Sequence, residues 1–195
     1  MRILSFIMVL ALSLPTFAQS KESKQTWNND PAHSQLAFQV KHMGISKIYG
    51  QFDDYNVVVN SIKEDLSSLD IKVEAKVTSI NTSIEMRDNH LRSADFFDVE
   101  KYPTLSFVST KVVPNGKDKA KLYGNLTIKE VTKPVVLDII HHGSYTDEKS
   151  GNRIAGFEIS GTIKRLDFGV GSDFPTAVVG DDITIISNME FISKK

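Results

Sequence analysis

Arginine, aspartate and histidine crowd into one stretch of this chain, RDNHLRSADFFDVEKYPT from Arg87 to Thr104, between segments that otherwise alternate in polarity. A guanidinium there, Arg87 or Arg92, has the planar fork that binds an anionic or carbonyl head group. The competing use of the same charges is structural, because partly buried ion pairs fix geometry while exposed ones contribute little. The five histidines raise the question of metal ligation. His141 and His142 are adjacent on an alternating segment, so they point to opposite faces and cannot chelate one ion together. His33, His42 and His90 converge only if tertiary contact brings them together. Nucleophilic catalysis lacks its parts, since no Gly-x-Ser-x-Gly elbow occurs and there is no cysteine. Asp53-Asp54 and Asp181-Asp182 stand beside turn residues, where aspartate serves backbone hydrogen bonds, and Lys63-Glu64-Asp65 reads as a loop between strands. No catalytic residue and no metal ligand is assigned. An enzyme or stress factor using the polar 87–98 block as its site remains the alternative to a binding protein.

The elements that must position these residues begin after a removable start. Met1 and Arg2 give a short positive end, Ile3 to Leu14 are almost entirely apolar, and Thr16-Phe17-Ala18 is a small-x-small cleavage site. Residues 1–18 are expected to be a cleaved signal peptide, since the apolar run is too short to span a bilayer and no other run is longer. Export permits disulfides, but without cysteine the core alone must stabilise the fold. Residues 19–26 are polar and aperiodic, a flexible leader, and residues 27–195 are the size of one domain. With 23 basic against 24 acidic side chains, the balance predicts no nucleic-acid footprint. It equally predicts no basic patch for acidic membranes.

From Trp27 onward the period is two. Leu69, Ile71, Val73, Ala75 and Val77 alternate with Asp70, Lys72, Glu74, Lys76 and Thr78, and Leu36, Phe38 and Val40 open a similar run. Noisier runs cover about 47–59, 104–113, 119–128, 133–142, 153–164 and 182–192, with Asn115-Gly116 and Ser150-Gly151-Asn152 as turns. Eight antiparallel strands can close into a barrel whose interior is filled or holds one small ligand. An outer-membrane barrel shows the same period with its apolar face outward. It wants aromatic girdles and an aromatic end, whereas this chain has one Trp and ends Phe191-Ile192-Ser193-Lys194-Lys195. A barrel or sandwich with an apolar interior, not integral to the membrane, is the expectation. Thr82-Ser83-Ile84-Glu85 fits a capping box, which predicts one short helix from about Ser83 to Arg92 within the region 83–98. On it Ile84, Arg87, Asp88 and Leu91 share the face toward the barrel, and Asp88 and Arg92 are spaced as an i, i+4 pair. The turn from Ala94 to Asp98 then closes one barrel end.

Five groups of residues stand out: Asp30-Pro31-Ala32-His33-Ser34, Val40-Lys41-His42-Met43-Gly44-Ile45-Ser46, Arg87 to Asp98 with Tyr102-Pro103-Thr104, Gly124 to Ile128 with Val131 to Val135, and Asp167-Phe168-Gly169. These motifs resemble those of the YceI-like family of polyisoprenoid-binding proteins. They run in the family's order across nearly all of residues 27–195. The resemblance implies an extended lipocalin-like antiparallel β-barrel, exported to the periplasm, often a homodimer. Its hydrophobic cavity would hold a long isoprenoid or similar amphiphile as carrier, buffer or stress-related sensor. No cofactor and no catalytic machinery come with it. The chain departs from the usual pattern at Lys129-Glu130 and in the short segment 170–182, which carries Asp173-Phe174-Pro175.

If inward means apolar, the cavity lining is expected to include Phe38, Val40, Phe52, Ile71, Val73, Phe107, Leu122, Leu126, Leu137, Ile139, Phe157, Ile159 and Phe168. Core filling is the competing role for each of them. The resemblance carries over His33, Arg92 and Asp95 as candidate polar contacts near the mouth.

Overall fold

The computed structural model describes residues 25–60 and 66–194. The expected signal peptide, the leader up to Lys24 and the Lys63-Glu64-Asp65 loop lie outside them. The strands are β1 (Thr26–Asn29), β2 (Gln35–His42), β3 (Ser46–Phe52), β4 (Tyr55–Asn60), β5 (Asp70–Lys76), β6 (Ile80–Asn81), β7 (Thr104–Pro114), β8 (Lys119–Ile128), β9 (Val131–Thr146), β10 (Arg153–Lys164) and β11 (Val179–Ser193), with one α-helix, α1 (Glu85–Arg92). All pairings are antiparallel, in the order β1-β4-β5-β7-β8-β9-β10-β11, and β1 returns to β11 to close the ring.

Eleven segments make eight strands because three strands are broken. β1 and β2 both lie along β11, through Asn28↔Ile192 and Phe38↔Ile185. β3 and β4 lie along β2 and β1 in turn. The first break is Asp30-Pro31, where proline has no N–H to give the ladder and Asp30 Oδ1 accepts the Ala32 amide. The second is Asp53-Asp54, and a 3-10 turn at Val77–Ser79 separates β5 from β6. The predicted run 47–59 is therefore one strand with a corner in it.

Alternation decides which face is inside. On β8 Ala120, Leu122, Leu126 and Ile128 are buried, whereas Lys119, Tyr123 and Asn125 are exposed. On the outer face Lys121 pairs with Asp138 of β9 at 2.6 Å. An apolar lumen under a polar exterior is the reverse of an outer-membrane barrel. Among the described residues no helix is long and apolar enough to cross a membrane.

Helix α1 differs from its expectation. Ser83 has φ +66°, in the left-handed region, so the helix cannot include it. Ile84 is the cap residue, 50% exposed, and makes no side-chain capping bond. The expected capping box fails because Thr82 serves a different partner: its amide and hydroxyl both donate to Asp88 Oδ1. Arg87 Nε in turn donates to Thr82 Oγ1 at 2.7 Å, so one hydroxyl carries a polarised chain from guanidinium to carboxylate. Arg92, expected beside Asp88, instead donates to Thr78 O, Ile80 O and Asn89 Oδ1. Glu85 and Asp88 in the first turn, with His90 and Arg92 in the last, match the helix dipole.

One barrel end carries α1, the turns through residue 98, and the segment 165–178. Arg165 organises it from a 3-10 turn at Arg165–Phe168. Its side chain is buried, and its N–H groups donate to Gly180 O, Val170 O, Gly171 O, Phe174 O and Val179 O. That uses every donor a guanidinium has. Burial lowers the Arg165 pKa from the ordinary arginine value, with Asp181 opposing the shift. Removing the guanidinium strands buried carbonyls, so Arg165→Met is expected to cost about 3–5 kcal/mol in urea unfolding. A loss below about 1 kcal/mol would contradict this role.

Candidate ligand-binding site

Every strand except β1 contributes inward residues to one cavity of about 210 Å³. Its wall is apolar apart from Arg165 and Ser187. On β11 the lining includes Val179 and then the row from Ile183 to Phe191, a row about 26 Å long at ~3.3 Å per residue, so the space is elongated.

All the expected lining residues face this cavity except Phe168. Phe168 is 2% exposed but belongs to the 3-10 turn, so strand alternation does not aim it at the lumen. It fills the core instead. Sequence reasoning missed the inward row of β11, namely Ile183, Ile185, Ser187, Met189 and Phe191, although the run 182–192 carried the same alternation as the strands that were read. It also missed Phe96 and Phe97, which reach the cavity from the turns after α1.

Aromatic rings shape both ends. Phe38, Phe52 and Phe97 form a chain with centroid spacings of 6.0 and 6.3 Å. Phe174 stacks on Phe96 at 4.7 Å, and His90 meets both rings edge-on. The atypical segment 170–182 thus supplies a ring to the cap. At the opposite end Phe157 meets Phe191 at 5.8 Å, with His141 stacked on its other side at 4.7 Å. Glycines make room for rings against the wall: a Cβ at Gly50 would clash with the Phe38 ring, and one at Gly124 with the Phe107 ring. Larger residues there would push these rings into the lumen.

None of the three candidate polar contacts, His33, Arg92 and Asp95, lines the cavity. His33 is 63% exposed and bonds Asp30 Oδ2 at 2.8 Å. Asp95 bonds His90 at 2.9 Å. Arg92 is occupied with carbonyls and borders an outer depression of about 380 Å³ with Asp53, Asn81 and Glu85. That depression is open and polar and cannot exclude water from a chain. Lys129, at the other departure from the family pattern, donates to Gly169 O at 3.2 Å and so ties the β8–β9 turn to the cap.

The histidine pair behaves as alternation requires. His141 faces inward against Phe157, while His142 is exposed, 3.6 Å from Glu158. A convergence that the sequence did not reveal is Asp30, His33 and Glu190, whose candidate donor atoms lie within 4.8 Å of one another. The His33–Asp30 contact has hydrogen-bond length, and Glu190 stands 3.9 Å from His33, so the group reads as an ion-pair clasp between the β1–β2 turn and β11.

Chiefly through the bond to Asp30, the His33 pKa is raised, and the bond to His33 lowers that of Asp30. A raised histidine contributes fully below about pH 6.5 and fades as pH climbs through its folded value. A lowered aspartate contributes above about pH 3.9 and fades as pH falls through its folded value. The clasp is strongest between those limits. NMR titration is expected to place the His33 midpoint above about 6.5, and Asp30→Asn is expected to lower it. A midpoint at or below the ordinary value would contradict the clasp.

Residues 27–191 match the family described as a YceI-like domain. A UPF0312 protein of Pseudomonas aeruginosa is 36% identical over 185 residues, covering 95% of each chain. The crystal structure of a Campylobacter jejuni YceI protein aligns at TM-score 0.71 and 36% identity, covering 80% of this chain and 90% of that one. A polyisoprenoid-binding domain from Saccharophagus degradans, implicated in plant cell wall breakdown, aligns at TM-score 0.62 over 87% of this chain and 99% of its own. At 14% identity that likeness speaks for the fold alone.

Proposed function

The chain belongs to the YceI-like family, and from that premise we propose that it is a periplasmic binding protein that holds the hydrocarbon of an isoprenoid or similar amphiphilic lipid inside its barrel. The observation that carries this reading is the elongated, almost wholly apolar cavity. Its volume of about 210 Å³ exceeds the ~150 Å³ at which an apolar protein cavity stays dry and takes up benzene. The composition of residues 1–18 supports export.

Energetics favour exchange over capture. One isoprene unit gains roughly 3–4 kcal/mol on leaving water, at about 0.8 kcal/mol per methylene. The ligand's alternative is a bilayer that is equally apolar, so net extraction is close to balanced. A protein of this kind acts as carrier, buffer or sensor and not as an irreversible trap. The rival reading, an enzyme built on the 87–98 block, is weakened by the geometry of that block. Arg87 donates to Thr82 O and Oγ1, and two of the three Arg92 bonds go to backbone carbonyls, so these guanidinium groups are engaged in holding the cap.

Delipidated protein mixed with phosphatidylcholine vesicles carrying a radiolabelled prenyl alcohol is expected to take up the label. Phe107→Trp and Phe157→Trp overfill the lumen and are expected to reduce uptake by about fivefold or more. No uptake by the unsubstituted protein would sink the carrier reading. Unchanged uptake by both variants would show that these rings do not border the ligand.

A further inference from the structure

Ser187 is the residue of the cavity that an apolar container does not explain. It is 2% exposed, it lines the cavity, and its Oγ has no hydrogen-bond partner among the described residues. Its register neighbours are Ile159 on β10 and Leu36 on β2. The adjacent inward residues of its own strand are Ile185 and Met189, which sit opposite Phe38 and Phe157 respectively. The hydroxyl therefore stands partway down the lumen, between the two aromatic ends, with hydrocarbon and a thioether around it.

A buried hydroxyl without a partner loses its hydration and gains nothing in return. Alanine would leave the same room without stranding a polar atom. A single water is a poor remedy, because a buried water needs two to four polar partners and the side chains around Ser187 offer none. A ligand atom needs only one. An oxygen carried on the chain that fills the cavity accepts the Ser187 proton while the rest of the ligand supplies its own apolar contacts. The other buried polar atoms without partners, Trp27 Nε1, His141 Nε2 and Ser193 Oγ, do not line the cavity.

We propose that Ser187 is a hydrogen-bonding subsite inside the barrel, and that the ligand is an oxygen-bearing amphiphile whose acceptor oxygen lies within the lumen. This rests on the binding reading above and sharpens it: the cavity takes a carbonyl-, ether- or hydroxyl-bearing chain in preference to a pure hydrocarbon of equal length. Selectivity then comes from one internal contact, since the guanidinium of Arg165, the other polar group of the wall, is saturated by backbone carbonyls.

The test uses two probes of equal chain length, n-octadecane and 9-octadecanone, offered together in phosphatidylcholine vesicles to delipidated full-length protein. Bound probe is extracted and its ketone-to-alkane ratio is compared with the ratio in the vesicles. The protein is expected to enrich the ketone about fivefold, the share of one neutral hydrogen bond. Ser187→Ala is expected to abolish the enrichment. Infrared spectra of the bound ketone should show its carbonyl stretch at lower frequency in the unsubstituted protein than in the variant. Equal uptake of both probes by the unsubstituted protein overturns the Ser187 contact while leaving the binding reading in place. Enrichment that survives in Ser187→Ala overturns it as well. Uptake of neither probe overturns the binding reading, and this inference with it. The comparison within the unsubstituted protein holds whatever the folding yield of the variant.

Discussion

Five N–H groups of one buried arginine hold the cap of this barrel in place. Arg165 sits at the end of β10 and gathers the carbonyls of Val170, Gly171, Phe174, Val179 and Gly180, so a segment without regular structure acquires a fixed path. That path sets Phe174 on Phe96, with His90 edge-on to both rings. It also delivers the chain to β11 in register with β2. A cation whose donors all meet backbone oxygen is satisfied without a carboxylate, and it leaves no donor for a ligand. The charge at this end of the cavity is thus a structural fastener, and it excludes the anionic head-group site that an arginine in a lipid-binding barrel invites one to draw.

With the cap fixed, the remaining architecture follows from two opposed faces. Inward residues are aliphatic or aromatic apart from Ser187 and, at the cap, Arg165, the outer face carries charged pairs such as Lys121 with Asp138, and β1 pairs with β11 to close the ring. Glycine at positions 50 and 124 keeps Phe38 and Phe107 against the wall, so the interior remains a cavity where larger residues would fill it. Under the proposed function such a lumen recognises a chain by excluding water. The strength of that recognition is set by comparison with a bilayer, which excludes water equally well, and single polar contacts therefore weigh more heavily than area.

Much of this was legible in the chain, for identifiable reasons. Alternation at Leu69 to Val77 and on the other runs revealed eight strands and their inward faces, because period two depends on local backbone geometry alone. The corner at Asp53-Asp54 was hidden inside one run, since both halves keep the same alternation. The helix start was misplaced because Thr82 and Glu85 have capping-box spacing, while the partner that won, Asp88, is set by the position of β6 relative to α1. Phe168 was drawn into the lining by its type, although a 3-10 turn does not follow strand alternation. Arg165 gave no local signal: one arginine after a strand does not announce that a loop of left-handed glycines will fold around it. The bonds that His33, Arg92 and Asp95 make within the protein were hidden for a related reason, because residue type identifies a donor or an acceptor but not what it already bonds.

The account turns on whether the cavity is occupied in nature. Native mass spectrometry of the protein isolated from its own source without detergent tests that most directly. The account predicts a species heavier than the polypeptide, whose excess mass leaves on collisional activation as an oxygen-containing lipid. A population carrying only the polypeptide mass, prepared under the same gentle conditions, would contradict it.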